Sequence, residues 1–230
     1  MNRGRASLLV LTVITMLGAV VTGALAPRDF DTLPDGFEAP VLALELARSP
    51  DDASLVIEGN GHRAALLSAT IADLGFIAAY ATLWTVMASS VHPLLAVAAA
   101  LAGFADLVED AGIFAALLAA PTGPVVTWIR CASLVKWALL GITFVGLYWY
   151  FRPPGRVNTG WDVMRLGTGL VYAYAGVLCV WGVAIDNPVI ERSMLPLSFA
   201  LVMQIILAAA GRMRSASDVT PSANPTPVRR

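Results

Sequence analysis

The chain has 230 residues, of which 57% are hydrophobic and 13% charged, and its mean hydropathy is +0.72. Soluble domains carry about a quarter charged residues, so this composition excludes an ordinary soluble domain and indicates an integral membrane protein. No basic run suits nucleic acid, and two cysteines cannot form a disulfide framework or a four-ligand metal site. We therefore expect a lipid bilayer as the surroundings, with no nucleic-acid partner, no metal and no cofactor.

A helix needs about 20 apolar residues to cross a bilayer. Six stretches meet that requirement and predict an all-α bundle of six transmembrane helices within residues 1–211. The predicted spans cover residues 7–26, 64–88, 93–119, 125–151, 165–185 and 194–211. The first span resembles a secretory signal, but it is long for one and Pro27 would follow the cut site. We therefore expect an uncleaved anchor.

Charged residues outside the spans predict the orientation. Arginines lie in the N-terminal MNRGR, in the loop 152–165 and in the tail 212–230, whereas segment 27–63 is rich in aspartate and glutamate. Basic segments stay on the cytoplasmic side of a membrane. Both termini are therefore predicted to be cytoplasmic, and segment 27–63 is predicted to be an extracytoplasmic insertion. The tail is rich in proline, serine and alanine, which predicts a disordered segment.

The extracytoplasmic insertion carries signals for two short helices at the outer surface. EAPVLALELA has apolar residues around a single glutamate, and SPDDASLVIEGNG follows it. Ser49 is an N-cap candidate, Pro50 fits the first helical position, and Asp51 and Asp52 suit the positive end of a helix. Two interpretations remain open, an ordinary connection packed over the bundle and a lid or docking surface.

Six charged residues lie inside the second, third and fourth spans. They are Asp73, then Asp106, Glu109 and Asp110, then Arg130 and Lys136. At 1.5 Å per residue, all six fall in one layer between the membrane midplane and the outer surface. The connections ASSVH and PTGP are short, so the three spans are antiparallel neighbours, and the three acids of the third span share one side. The sequence therefore predicts that these charges meet in one buried cluster.

Burying these charges has a cost that must be offset. An Asp, Lys or Arg at the centre of a membrane helix costs about 2.5–3.5 kcal/mol on insertion scales. Four acids face two bases, which leaves a formal charge of −2 if all six are ionised. We therefore expect that one or two carboxyls hold a proton, that a cation is bound, or that water enters. Glu109 beside Asp110 is the pair expected to share a proton.

Three further residues are secondary candidates. Tyr80 continues the polar stripe of the second span, and His62 and Arg63 stand at its outer mouth. The last two are interpreted as anchors to lipid headgroups or as a gate.

Three stretches carry a resemblance to other proteins. LELARSPDDASLVI in the insertion, IADLGFIAAYATLW in the second span and GFADLVEDAG in the third cover about a fifth of the chain. They resemble a class of bacterial polytopic membrane proteins of unknown function. The resemblance implies the bacterial cytoplasmic (inner) membrane and no particular activity. High usage of alanine, valine, arginine and glycine is typical of a GC-rich bacterial genome.

The cluster leaves three classes of function. The first is an outward-facing site that binds or transports a proton, a cation or a small amphiphile. The second is a membrane enzyme acting on a lipid or isoprenoid, with a carboxyl group as general acid. The third is an assembly subunit, alone or in an oligomer, whose ion network is structural. IAAYATL and AVAAALAG, towards the cytoplasm, are uncharged, which disfavours a complete ion path and leaves an outward-facing pocket.

Overall fold

The computed structural model describes residues 3–27, 33–34, 36–58, 62–185 and 188–211. Within these ranges the protein is helical, with eight α-helices, one 3₁₀ helix and no strand. The predicted all-α class is therefore confirmed. The predicted disordered tail, 212–230, lies outside the described residues.

The helices follow one another along the chain with short connections. They are α1 (Arg3–Leu25), α2 (Pro40–Glu45), α3 (Pro50–Glu58), α4 (His62–Ser89), α5 (Pro93–Leu118), α6 (Gly123–Phe151), α7 (Gly160–Ile185) and α8 (Met194–Ala209). The 3₁₀ helix, Pro188–Ser193, lies between α7 and α8.

Five helical stretches in the described ranges are long and apolar enough to cross a membrane. They are α1 from Ala6 onward, α4, α6, α7, and Val189–Ala209, which includes α8. Helix α5 has 26 residues, which is also enough to cross. However, Asp106, Glu109 and Asp110 fall within every stretch of 18 residues that α5 contains. The three charged residues, and not the length of the helix, distinguish α5 from the other five stretches.

The six long helices pack in a closed ring. Helices α4, α5, α6 and α7 each pack on the next, α1 packs on α4, and α8 closes the ring by packing on both α7 and α1. Helix α2 packs on α5 and α6, and α3 packs on α4 and α6. The pair α2–α3 therefore covers one end of the ring, which we call the α2–α3 end.

Helices α6 and α7 cross closely at two glycines. A Cβ atom added at Gly176 would lie 2.5 Å from the carbonyl oxygen of Gly141. Small residues at such crossings let two backbones pack directly against each other. This contact fixes the position of α6, which carries Lys136.

A buried hydrogen-bond chain joins the first helix to the last. The Tyr172 hydroxyl donates to Gln204 Oε1 at 2.7 Å, and Gln204 Nε2 donates to Thr12 Oγ1 at 2.7 Å. Thr12 in turn donates to the Leu8 carbonyl. The three side chains lie on α7, α8 and α1, so these hydrogen bonds hold the three helices together where the ring closes.

The start of α3 is as the sequence predicts. Asp52 N donates to Ser49 Oγ at 3.1 Å, and Ser49 N donates to Asp52 Oδ2 at 3.1 Å. This reciprocal pair is a capping box in which aspartate takes the place of the usual glutamate. Pro50 is the first residue of the helix.

Helix α7 begins five residues earlier than the predicted span, at Gly160 and not at residue 165. The polar residues here were assigned to a loop, but they form a second capping box. Asp162 N donates to Thr159 Oγ1 at 3.2 Å, and Thr159 N donates to Asp162 Oδ2 at 3.1 Å. Local hydrogen bonds therefore extend the helix beyond its apolar stretch.

Candidate functional site

Lys136 is the centre of the buried charge cluster. Its side chain lies on α6, and the residue is 4% exposed. The ammonium nitrogen contacts Glu109 Oε1 at 2.7 Å, Asp106 Oδ1 at 3.0 Å and Glu45 Oε2 at 3.0 Å. An ammonium group has three N–H donors, and here each donor has a carboxylate acceptor. The predicted meeting of Lys136 with Asp106 and Glu109 is therefore present.

Glu45, the last residue of α2, is a member of the cluster that the sequence interpretation missed. Its Oε2 atom accepts hydrogen bonds from Ser133 Oγ at 3.3 Å, Lys136 Nζ at 3.0 Å and Trp137 Nε1 at 3.2 Å. The three donors occupy positions i, i+3 and i+4 of α6, which share one face of a helix. A glutamate between Leu44 and Leu46 was the available signal, because a charged residue among buried leucines needs a partner.

Tyr80 holds the second oxygen of Asp106. Its hydroxyl, on α4, donates to Asp106 Oδ2, while Oδ1 of the same carboxylate faces Lys136. Tyr80 and Asp106 are both buried. The secondary candidate Tyr80 therefore belongs to the cluster itself and joins α4 to α5.

The cluster carries more acid than base. Three carboxylates contact the single ammonium of Lys136 in the described part of the chain, which gives a formal charge of −2 if all four groups are ionised. Glu109 Oε2 and Asp110 Oδ2 are buried and have no hydrogen-bond partner among the described residues. Like charges in a poorly hydrated site repel. These two oxygens can therefore still bind a proton or a cation, or accept a hydrogen bond.

A cavity of about 380 Å³ opens beside the cluster. Its polar wall consists of Glu45, Asp73, Tyr80, Asp106 and Lys136, together with Thr22 of α1. Its apolar wall comes from the end of α1, the segment Ala39–Leu42 and the beginning of α8, with Phe76, Trp84 and Leu140. We call this the large cavity, because it is the larger of the two cavities beside the cluster. Its size and its mostly apolar lining with a few convergent polar groups are typical of small-molecule sites.

Asp73 and Asp110 do not contact Lys136 in the described geometry, although both were predicted in the same cluster. Asp73 lies on the polar wall of the large cavity. Asp73 and Asp110 also line a second cavity of about 20 Å³, which we call the small cavity. Glu45 lines both cavities, so these acids surround adjoining spaces.

Arg130 is the second base of the predicted cluster. It lies on α6 six residues before Lys136, is half-buried, and lines neither cavity. The membership of Arg130 in the cluster therefore stays a prediction. At 1.5 Å per residue, six residues separate the two bases by about 9 Å along the helix, so they would pair with different acids.

His62 and Arg63 are the first two residues of α4, and neither lines a cavity beside the cluster. Arg63 Nη1 donates to the carbonyl oxygens of Leu117 and Ala119, the latter at 3.3 Å. These are the last carbonyls of α5, where a positive charge stabilises the negative end of a helix. His62 is buried and lines neither cavity. Arg63 thus caps a neighbouring helix in addition to any role as a headgroup anchor.

The ring interior is closed by aromatic packing on the side of the cluster away from α2. Tyr80 and Trp84 have ring centroids 4.8 Å apart, and Trp84 and Phe144 are 4.7 Å apart. Phe144 contacts Tyr172, which stacks on Phe151. In the described helices α4, α5 and α6, no charged residue follows Asp73, precedes Asp106 or follows Lys136.

Comparisons of the chain with known protein families, with curated proteins and with solved structures give no match. In the described ranges, no group of three or more histidine, cysteine, aspartate or glutamate side chains is arranged to hold a metal ion. Our proposal of function therefore rests on the charge cluster and the two cavities that adjoin it.

Proposed function

We propose that the protein is a six-span protein of the bacterial cytoplasmic membrane that binds a small amphiphilic cation in its large cavity. Helix α5 is the sixth span, since it is as long as its neighbours and packs between α4 and α6 within the ring. Both termini face the cytoplasm, so the α2–α3 end faces outward. The large cavity is at that end, because it is lined by the end of α1 and the beginnings of α2 and α8.

The observation that carries this proposal is the division of the large cavity into an acidic wall and an apolar wall. Glu45, Asp73 and Asp106 outnumber Lys136 on the acidic wall, which favours a positively charged head. Leu140, Leu197 and Phe76 on the apolar wall suit a hydrocarbon tail. A ligand with both features would use both walls, and its charge would reduce the repulsion among the carboxylates.

The same geometry supports this binding function over a purely structural role and narrows the general acid that an enzyme could use. A purely structural ion network is expected to be dry and fully paired, whereas Glu109 and Asp110 each keep an unpartnered oxygen. An enzyme that protonates its substrate needs a carboxyl facing the substrate. On the wall of the large cavity, Asp106 has both oxygens engaged, by Tyr80 and Lys136, so the general acid of an enzyme would have to be Asp73 or Glu45.

Fluorescence quenching can test the proposal, because Trp84 and Trp137 line the large cavity. The protein in nanodiscs of zwitterionic lipid is titrated with decylamine carrying a brominated chain, and in parallel with the matching brominated decanoate and decanol. Only the amine is expected to add a saturable quenching component. The anion and the alcohol report non-specific partitioning beside the tryptophans that face lipid.

A matched pair of glycine variants locates the binding. Gly23 lines the large cavity, and a Cβ atom added there meets nothing within 4 Å. Gly23→Leu should fill the cavity without a clash and remove the saturable component. Gly75 also has open space around an added Cβ atom but lines neither cavity, so Gly75→Leu should behave as the unmodified protein. Equal quenching by the amine and the anion, or equal behaviour of both variants, would overturn the proposal.

A further inference from the structure

The small cavity differs from the large one in size and in the chemistry of its polar groups. Its volume of about 20 Å³ is slightly more than the about 10–15 Å³ that one water molecule requires. The polar residues around it are Glu45, Asp73 and Asp110 with the two threonines Thr22 and Thr70. Every one of these side chains offers oxygen, and none offers nitrogen or sulfur.

Asp110 provides the observation that points to a ligand. The residue is 3% exposed, and its Oδ2 atom has no hydrogen-bond partner among the described residues. A buried carboxylate oxygen without a partner is costly, because it has lost water and gained nothing. Thr22 Oγ1 is a second buried oxygen at the same cavity without a described partner. Two oxygens from two helices are thus available to a species in the cavity.

Thr70 adds a third available oxygen. Its hydroxyl donates its hydrogen to the Leu66 carbonyl at 2.9 Å, so the lone pairs of Oγ1 remain free to coordinate a cation. Oxygen donors of this kind select hard cations over transition metals. The space admits one particle about the size of a water molecule, and the surrounding charge is negative.

We propose that the small cavity binds a single sodium ion, coordinated by Asp110 and Asp73 with the hydroxyls of Thr70 and Thr22. The ion offsets part of the negative charge that Lys136 leaves uncompensated. The small cavity adjoins the large one and shares Thr22, Glu45 and Asp73 with it, but the inference concerns another ligand, and it goes beyond the amphiphile-binding function without depending on it.

Direct binding of radioactive sodium to the purified protein tests the inference. The protein in nanodiscs is measured by scintillation proximity, with choline chloride keeping the ionic strength constant. We expect saturable binding that unlabelled NaCl displaces and choline chloride does not. NaCl should also raise the thermal unfolding temperature over the same concentration range, with no amphiphile present.

Two threonines on α4 form a matched pair of variants. Thr70 and Thr82 both donate to the carbonyl four residues earlier, at 2.9 Å and 2.7 Å, but only Thr70 lines the small cavity. Thr70→Val should weaken sodium binding about tenfold or more, the size typical for a disturbed metal site. Thr82→Val should leave sodium binding unchanged, and Asp110→Asn should abolish it.

Three results would overturn the proposal. The first is sodium binding that does not saturate, which would mean that the cavity holds water only. The second is equal stabilisation by choline chloride, which would reduce the effect to ionic strength. The third is equal sodium binding by Thr70→Val and Thr82→Val. This comparison decides the question even if Asp110→Asn fails to fold, because neither threonine variant changes a charge.

Discussion

At the scale of single residues, Lys136 is the group on which the cluster depends. It is the only base among the described residues that contacts Glu45, Asp106 and Glu109. Removing one partner of a buried ion pair leaves the other charge uncompensated, at a cost of about 3–5 kcal/mol. Removing one of several surplus acids has the opposite effect on the net charge. Loss of the base and loss of one acid should therefore affect the stability of the protein differently.

We expect Lys136→Met to destabilise the protein far more than Asp106→Asn. Methionine keeps the length of the lysine side chain but leaves three buried carboxylates without a counter-charge. Asparagine keeps an oxygen that can accept from Tyr80 and lowers the excess negative charge. Thermal unfolding of both variants in the same detergent measures the difference. A greater loss from Asp106→Asn would contradict the excess of acid described for the cluster.

The residues of this cluster were predictable from sequence only where helix geometry relates them. Depth and spacing along neighbouring spans were enough to bring Lys136 to Asp106 and Glu109. The same reasoning places Arg130 about 9 Å from Lys136 along the helix, where it would pair with a different neighbour, and this part stays a prediction. Glu45 could not be placed, because span geometry does not determine how a connecting segment enters the bundle.

At the scale of helices, α2 is held in place by one carboxylate. Glu45 ends the helix and connects it to three donors on α6. A helix of six residues has little stability of its own. Its position must therefore come from Glu45 together with the packing of Leu42 and Leu44, which are both buried.

Glu45→Ala should loosen α2 and α3 while the six long helices stay folded. The variant removes the acceptor for Ser133 and Trp137 and one carboxylate from Lys136. Hydrogen exchange should rise by at least tenfold across residues 40–58, since loss of about 1.4 kcal/mol of local stability has that effect. Glu58→Ala, at an exposed position on α3, is the matched control. Unchanged protection in Glu45→Ala would show that apolar packing alone holds the segment.

Helix α5 is expected to enter the membrane poorly without α6. Its three acids cost on the order of 8–10 kcal/mol before pairing, and Lys136 on α6 contacts two of them. In a translocon insertion assay, the α5–α6 hairpin should therefore insert α5 better than α5 alone. Replacing Lys136 by leucine in the hairpin should remove much of that gain. Equal insertion of α5 in all three cases would show that pairing does not assist its entry.

Sequence patterns located the long helices well and their ends less well. Apolar length predicted α4 and α6 within two residues at each end. The start of α7 was misplaced because its first turn is stabilised by Thr159 and Asp162, and neither residue is apolar. Hydropathy measures burial in lipid, whereas a capping box acts through local hydrogen bonds that composition does not reveal.

At the scale of the whole molecule, the proposed topology places α2–α3 and the loop between α6 and α7 on opposite sides of the membrane. Asp51 and Gly155 are both exposed and can each be replaced by cysteine in a Cys131→Ser background, where Cys179 is buried. Asp51→Cys should react with an impermeant maleimide in intact cells. Gly155→Cys should react only after permeabilisation. The reverse pattern would invert the topology.

The hydrogen bond between Thr12 and Gln204, which helps to close the ring, can form only late in the synthesis of the protein. Thr12 and Gln204 are 192 residues apart, and a ribosome adds about 5–20 residues per second. Helix α1 is therefore in the membrane for about 10–40 s before its polar partner on α8 has been synthesised. Throughout that interval the Thr12 hydroxyl keeps its acceptor on its own helix, the Leu8 carbonyl, but lacks the donor that Gln204 later supplies. The nascent protein is thus exposed, during its own synthesis, to pairing of α1 with foreign helices, and a ribosome that stalls before residue 204 would prolong that exposure.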